Sequence, residues 1–333
     1  MIKSIVTLIF LFILKFLHAQ NPGKAFKIVG QVQGFTNGTK LYLNDVTDGS
    51  YKKIDSVIIF NNRFSFNGSL INDYLKASIS TADYADRVIL WLEKGVTSFN
   101  ADKGSFNKAV IMGGANQKKW SEYMNILTKA NNEDAATYWF IKNNPASIIA
   151  AHNLSVYINS WGKDTVTALY KSFSADVKST SYGTKINNFI TLNRNLKIGD
   201  KFVDFTQKDS SSKNISLSDI KDKVILLEFW GSWCEPCREE NPTLIKIYND
   251  HKNKGFEILG VAAETNKAQW IKGIETDRLP WVNVTDLQGS DNKAAMIYSV
   301  SAYPTNFLID KTGTIIAKDV YGEDLRSWLL KIL

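Results

Sequence analysis

Both cysteines of the chain lie in the segment Trp233-Cys234-Glu235-Pro236-Cys237. Two thiols at this spacing are one helical turn apart, and the segment stands where an apolar run ending at Trp230 gives way to a helical pattern. A helix start presents unpaired N–H groups and the positive end of the helix dipole, which stabilise a thiolate at Cys234 and make it a nucleophile near neutral pH. Attack by Cys234 on a substrate disulfide gives a mixed disulfide. Cys237 then resolves it, releasing reduced substrate and closing the internal disulfide. A structural staple explains the pair less well, because so short a loop contributes only about 2 kcal/mol. A zinc site would need two further ligands, and the sequence holds no second cysteine pair and no histidine pair at metal spacing. The residue types therefore point to redox chemistry.

The elements that must position this pair begin near residue 197. Residues 204–218 are polar and turn-rich. Residues 223–230 form a near-continuous apolar run, the mark of a strand buried on both faces. A helix over 236–252 and a second buried strand over 256–263 complete a β-α-β unit. Helices are read over 267–277, 292–298 and 323–333, and strands over 281–285, 305–309 and 314–320, giving an α/β domain with a mixed sheet. Inside the first buried strand stands Glu228. An acid among Val-Ile-Leu-Leu and Phe-Trp is costly unless paired or neutralised, so it is read as functional rather than as a strand-end residue facing solvent.

Ahead of this domain the chain changes grammar twice. Residues 26–112 have period two, with short strand candidates separated by Asn37-Gly38, Asp48-Gly49, Asn61-Asn62 and Asn67-Gly68, which supply left-handed turn positions. An antiparallel β-sandwich or open barrel is expected. Residues 116–195 have helical spacing: Trp120, Tyr123, Met124 and Leu127 form one stripe, and Ile148, Ala151, His152 and Ser155 another, with a break at Asn144-Pro145. A short helical spacer between two domains is the reading. His152 and His251 both fall on helical patterns and are read as interior or surface residues rather than metal ligands.

Residues 1–19 have the form of a cleaved signal peptide: Lys3, an apolar core from Ile5 to Leu14, and Ala19 ahead of Gln20. Lys15 interrupts the run after about ten apolar positions, too short to span a bilayer. No cysteine is near it, which excludes a lipid anchor on a new N-terminal cysteine. The 333 residues as a whole are 44% hydrophobic and 22% charged, with no second long apolar run, which excludes a disordered chain and a multi-span membrane protein. A net charge of +7 is spread without a basic block and does not argue for nucleic acid.

The stretch from Glu228 to Pro242, with Tyr303-Pro304-Thr305 before a later apolar strand, resembles the thioredoxin-like TlpA/ResA group of bacterial envelope thiol-disulfide oxidoreductases over residues 197–333. The strands of 26–112 look like the β-domain of unassigned role often fused ahead of such modules. The resemblance implies an α/β thioredoxin fold and a redox-active disulfide Cys234–Cys237, with no other cofactor. It implies that Pro304 is the cis-proline beside the disulfide, leaving the Tyr303 backbone free for an extended substrate, with Trp233 and Pro236 also facing substrate. Glu240 matches a glutamate of the ResA-like branch, and Glu228 the buried carboxylate of thioredoxin itself. Either, if desolvated, would have a raised pKa and could shuttle protons to Cys237. Glu235 and Glu239 are read as solvated charges on the helix start.

The implied activity is reduction of disulfides in envelope proteins, recharged by an electron-donor protein in the membrane. A disulfide oxidase or isomerase, and a binding protein whose β-domain captures a ligand, are the alternatives. A peroxidase is disfavoured, because the Pro-x-x-x-Thr-x-x-Cys arrangement is absent and Gly231 stands at the threonine position.

Overall fold

A computed structural model describes residues 24–47 and 51–333. The export signal read at 1–19 and the turn at Asp48-Gly49 lie outside the described residues. Contacts divide the chain between Thr137 and Tyr138 into two units.

Period-two alternation builds the first unit. Its strands are β1 (Ala25–Gln33), β2 (Lys40–Asp45), β3 (Lys52–Ile58), β4 (Arg63–Ser69), β5 (Tyr74–Ser80), β6 (Arg87–Glu93), β7 (Gly95–Asp102) and β8 (Val110–Met112). Along β1 every second residue is buried, so Phe26, Ile28 and Val32 face inward while Lys27, Gln31 and the half-exposed Val29 face out. Gly30 is on the inward row, where a Cβ would come within 2.0 Å of the Phe64 ring, so close approach of that ring requires glycine. The strands form two four-stranded sheets, β4-β1-β7-β8 and β3-β2-β5-β6. Ile28, Phe66 and Phe99 of one sheet share a core with Leu41, Ile79 and Leu90 of the other, which makes the unit a sandwich. Asn61 and Asn62 both take left-handed φ, 48° and 61°, and join β3 to β4 as their sequence predicts. One pairing departs from the antiparallel expectation: β1 and β7 run parallel. They are joined by most of the unit rather than by a hairpin, so no local turn dictates their direction.

Helix α1 (Ala115–Leu127) belongs to this unit, and its Gln117 side chain accepts the Trp91 N–H of β6 at 2.8 Å. The stripe expected from Trp120, Tyr123, Met124 and Leu127 is only partly used. Tyr123 and Gln117 are buried, whereas Met124 is 40% exposed, because the contact line runs through a polar residue that apolar periodicity does not register.

The helices of 116–195 are thus shared between the units. α2 (Glu133–Asn143) crosses the division, and α3 (Ile148–Tyr157), α4 (Gly162–Ser172), α5 (Ala175–Lys178) and α6 (Ser181–Leu192) lie in the second unit. Residues 148–155 of α3 are buried on all faces, so the stripe read in its sequence is one side of a central helix. His152 is buried edge-on against Tyr182 at 5.0 Å. Side chains beyond this helix reach the rest of the unit: Asn159 donates to the Val300 carbonyl at 2.8 Å and Asn193 to the Met296 carbonyl at 3.0 Å.

The sheet of the second unit runs β10-β9-β13-β12-β11-β14-β15. In chain order its elements are β9 (Thr206–Asp209), β10 (Asn214–Ser216), β11 (Val224–Trp230), α7 (Glu235–His251), β12 (Phe256–Ala262), α8 (Lys267–Asp277), β13 (Val282–Thr285), α9 (Lys293–Ile297), β14 (Thr305–Ile309), β15 (Ile315–Lys318) and α10 (Gly322–Ile332). β11 is central, parallel to β12 and antiparallel to β14, with all its residues buried. Alternation splits it between two cores. Val224, Leu226 and Trp230 pack with Leu244 and Ile247 of α7 and Leu325 of α10, whereas Ile225, Leu227 and Phe229 pack with Ala294 and Tyr298 on the other face. This is the thioredoxin fold, with the β-sandwich and helices ahead of it. The hairpin β9-β10 lies in the segment 204–218, which reads only as polar and turn-rich. At a sheet edge it needs no apolar alternation, and its buried Gln207 is instead hydrogen-bonded to Asn292 at 2.9 Å.

Candidate active site

β11 ends at Trp230, and four residues later Cys234 is the N-cap of α7. Its Sγ accepts the Cys237 N–H at 3.3 Å, so the sulfur takes the place of the hydroxyl or carboxylate that usually satisfies a helix start. Pro236 sits within the first turn, where a missing N–H costs nothing. Cys234 and Cys237 are joined as a disulfide with Cα atoms 5.3 Å apart. Both are almost fully buried, at 4% and 2% exposure, while Trp233 beside them is 62% exposed. The Trp233 indole donates to the Ala263 carbonyl at 2.8 Å and stands edge-on to the Tyr303 ring at 5.6 Å. Glu235 and Glu239 are exposed, as solvated charges should be.

Tyr303 packs against the core that contains both cysteines, and its peptide bond to Pro304 is cis. The next residue, Thr305, pairs with Phe229 of β11, which fixes this loop beside the disulfide. Burial, with a smaller effect of Asp286, pushes the Tyr303 phenol up to about 12.

Alternation places Glu228 on the same face of β11 as Leu226 and Trp230, beneath α7. It is 3% exposed, and one carboxyl oxygen, Oε2, has no hydrogen-bond partner among the described residues. Burial raises its pKa well above the ordinary value; a hydrogen bond from Asn306 opposes this, and the charges of Glu240 and Asp319 add to it. Asn306, directly across on β14, is fully buried and clamped to the Val320 backbone at 3.0 and 2.9 Å. Glu240, one turn beyond Cys237, is half-buried and accepts the Gly322 N–H at 3.3 Å. The two acids read from sequence therefore share one side of α7. Arg238 holds α7 to α8 through the Asp277 carboxylate, at 3.0 and 3.2 Å from its Nε, and the guanidinium holds Asp277 below the usual carboxylate range.

Two groups escape a reading of the sequence. Glu264, 2% exposed, accepts the Ser232 N–H and so braces the loop between β11 and the cysteines. In sequence it is one acid at the end of a buried strand, where solvent is the ordinary expectation. Tyr321 donates its hydroxyl to the Pro304 carbonyl at 3.1 Å. Only the packing of α10 on α7 brings it there.

A disulfide at the start of the helix that follows the central strand of a thioredoxin fold, with a cis-proline loop against it, defines a thiol-disulfide oxidoreductase. Comparison with known proteins agrees. Residues 198–318 match the AhpC/TSA family, and residues 26–120 match a domain of unknown function, DUF4369. The chain is 32% identical over 146 residues to the thiol-disulfide oxidoreductase ResA of Bacillus cereus, covering 44% of this chain and 82% of that protein. With ResA of Geobacillus kaustophilus it shares 35% over 152 residues, 45% of this chain and 86% of that one. A solved thioredoxin domain of a thiol-disulfide oxidoreductase from Bacteroides vulgatus is 34% identical, covers 41% of this chain and 97% of its own, and superposes with a TM-score of 0.39. The chain belongs to the ResA family of thiol-disulfide oxidoreductases.

Proposed function

We propose that this oxidoreductase runs as a reductase of protein disulfides outside the cytoplasm. The observation that carries the reading is the placement of Glu235, exposed between the two cysteines at the start of α7. Its negative charge opposes the stabilisation that the helix dipole gives a Cys234 thiolate, and a less stable thiolate makes the couple more reducing. In the reduced form, the Cys234 thiolate attacks one sulfur of a substrate disulfide and the other leaves as a thiolate. Cys237 then gives up its proton and attacks Cys234, expelling the second substrate thiol, so that two electrons pass to the substrate and the Cys234–Cys237 disulfide closes. One of Glu228 and Glu240 takes and returns the Cys237 proton; the burial of Glu228 and its closeness to Glu240 support this role. Trp233, Pro236, Tyr303 and Pro304 form the face that meets substrate. A dithiol donor, which we place at the membrane, then reduces the disulfide again.

A potential near that of thioredoxin, ~−270 mV, is expected from equilibration of the purified protein against a glutathione series. A value more positive than about −180 mV would overturn the reductase reading in favour of an oxidase or isomerase. Peroxidase chemistry is opposed by Gly231, since a Cβ at this position would meet the Trp233 indole at 2.8 Å, leaving no room for threonine without moving that ring.

The export half of the proposal rests on the apolar core of residues 1–19. No helix among the described residues is long and apolar enough to cross a membrane. Intact-mass measurement of protein from the soluble envelope fraction should give a chain beginning at Gln20. Recovery of a membrane-bound chain still carrying Met1 would sink it.

A further inference from the structure

Tyr321 is the N-cap residue of α10, yet its side chain makes no capping bond there. The hydroxyl instead crosses to the Pro304 carbonyl at 3.1 Å. The next residue, Gly322, sends its N–H to Glu240 of α7 at 3.3 Å. Gly322 has φ +47° and open space where a Cβ would stand, so it is the left-handed backbone that calls for glycine here. Two consecutive residues thus reach two segments that have no covalent reason to keep register: the loop of Tyr303 and Pro304, and the helix that carries the cysteines. Just before them, the Asp319 N–H bonds to the Asn306 carbonyl at 2.9 Å, and the Val320 backbone is clamped by the Asn306 side chain. The approach to Tyr321 is therefore anchored on the strand next to β11.

Partial burial pushes the Tyr321 phenol up, and the nearby charges of Glu228, Asp319 and Glu240 push it further. The group stays protonated and can act only as a donor to the carbonyl it faces.

We propose that Tyr321 is a positioning residue for disulfide exchange, its hydroxyl holding the Pro304 carbonyl so that the loop of Tyr303 keeps its place against the cysteine pair when a polypeptide substrate docks. This rests on the reading of that loop as substrate-facing, and goes beyond it by assigning the group that holds the loop. Tyr321 touches neither cysteine in the hydrogen-bond network, so its influence falls on docking before it falls on sulfur chemistry.

The test is Tyr321→Phe, which removes one oxygen and keeps the ring. For reduction of insulin by the dithiothreitol-recharged protein, KM should rise about three- to tenfold, the worth of one neutral hydrogen bond, with a smaller change in kcat. The potential against glutathione should not move, and Tyr321→His, which keeps a ring with a donor, should recover part of the lost affinity. A fall in kcat at constant KM, an unchanged KM, a shifted potential, or an unfolded Phe variant by circular dichroism would each overturn the proposal. An unmutated protein that fails to reduce insulin would instead remove the substrate-facing reading itself. An active unmutated protein with an indistinguishable Phe variant removes only the role of Tyr321.

Discussion

Cys237→Ser is expected to accumulate covalent complexes with substrate proteins, all joined through Cys234, while Cys234→Ser lowers insulin reduction by about a thousandfold or more and traps nothing. Exposure does not decide between the two sulfurs, since both are almost fully buried. Cap geometry does. Cys234 lies outside the first turn with Sγ facing the unpaired N–H groups of α7 and accepting one of them, the position in which a thiolate is stabilised. Cys237 lies within that first turn, one turn beyond Cys234, and is placed to attack a sulfur already held at Cys234. Non-reducing gels of the Cys237→Ser protein, with the bands identified by mass spectrometry, check the assignment. Trapped partners in the Cys234→Ser variant would reverse the two roles.

How much of this site could be read in advance follows from the range of the interactions. The cysteine pair is local: two thiols one turn apart at a strand-to-helix junction carry their chemistry in five consecutive residues. Glu228 was legible for the same reason, an acid interrupting an apolar run whose period fixes the face it occupies. The β-sandwich followed from alternation and from turn residues such as Asn61-Asn62, but its parallel β1–β7 pair did not, because direction in a long-range pairing has no local signal. Helix α3 shows a related limit. Where residues 148–155 are buried on every side there is no amphipathic contrast, and the stripe of Ile148, Ala151, His152 and Ser155 took in only half of the buried positions. Tyr321 and Glu264 were illegible because each reaches the site across the tertiary structure, Tyr321 from the start of α10 and Glu264 from the end of β12, and nothing in the neighbouring residues marks either one.

The second large effect concerns Glu228 and pH. Its folded-state pKa is raised, chiefly by burial, so the folded protein holds the proton while the unfolded chain releases it near the ordinary value of 4.5. The sign is that of an acid kept neutral: whatever stability the buried carboxyl allows is fully present below 4.5 and is lost as pH rises from there toward the folded pKa. Across that window the loss approaches about 1.4 kcal/mol per pH unit. Glu228→Gln removes the titration and keeps the shape. Its urea midpoint should therefore gain on that of the unmutated protein as pH is raised from 5 to 8, whatever constant offset the amide brings. Parallel midpoint curves would mean that Glu228 does not titrate between the two states. The proton transfer proposed for this carboxyl, from Cys237 as it resolves the mixed disulfide, is tested separately from its effect on stability. The pH dependence of insulin reduction should accordingly change in Glu228→Gln, in Glu240→Gln, or in the double variant. An unchanged profile in all three would leave the buried acid without a part in the proton transfer, even if the stability curves diverge as expected. The two measurements therefore separate a carboxyl that is merely buried from one that works.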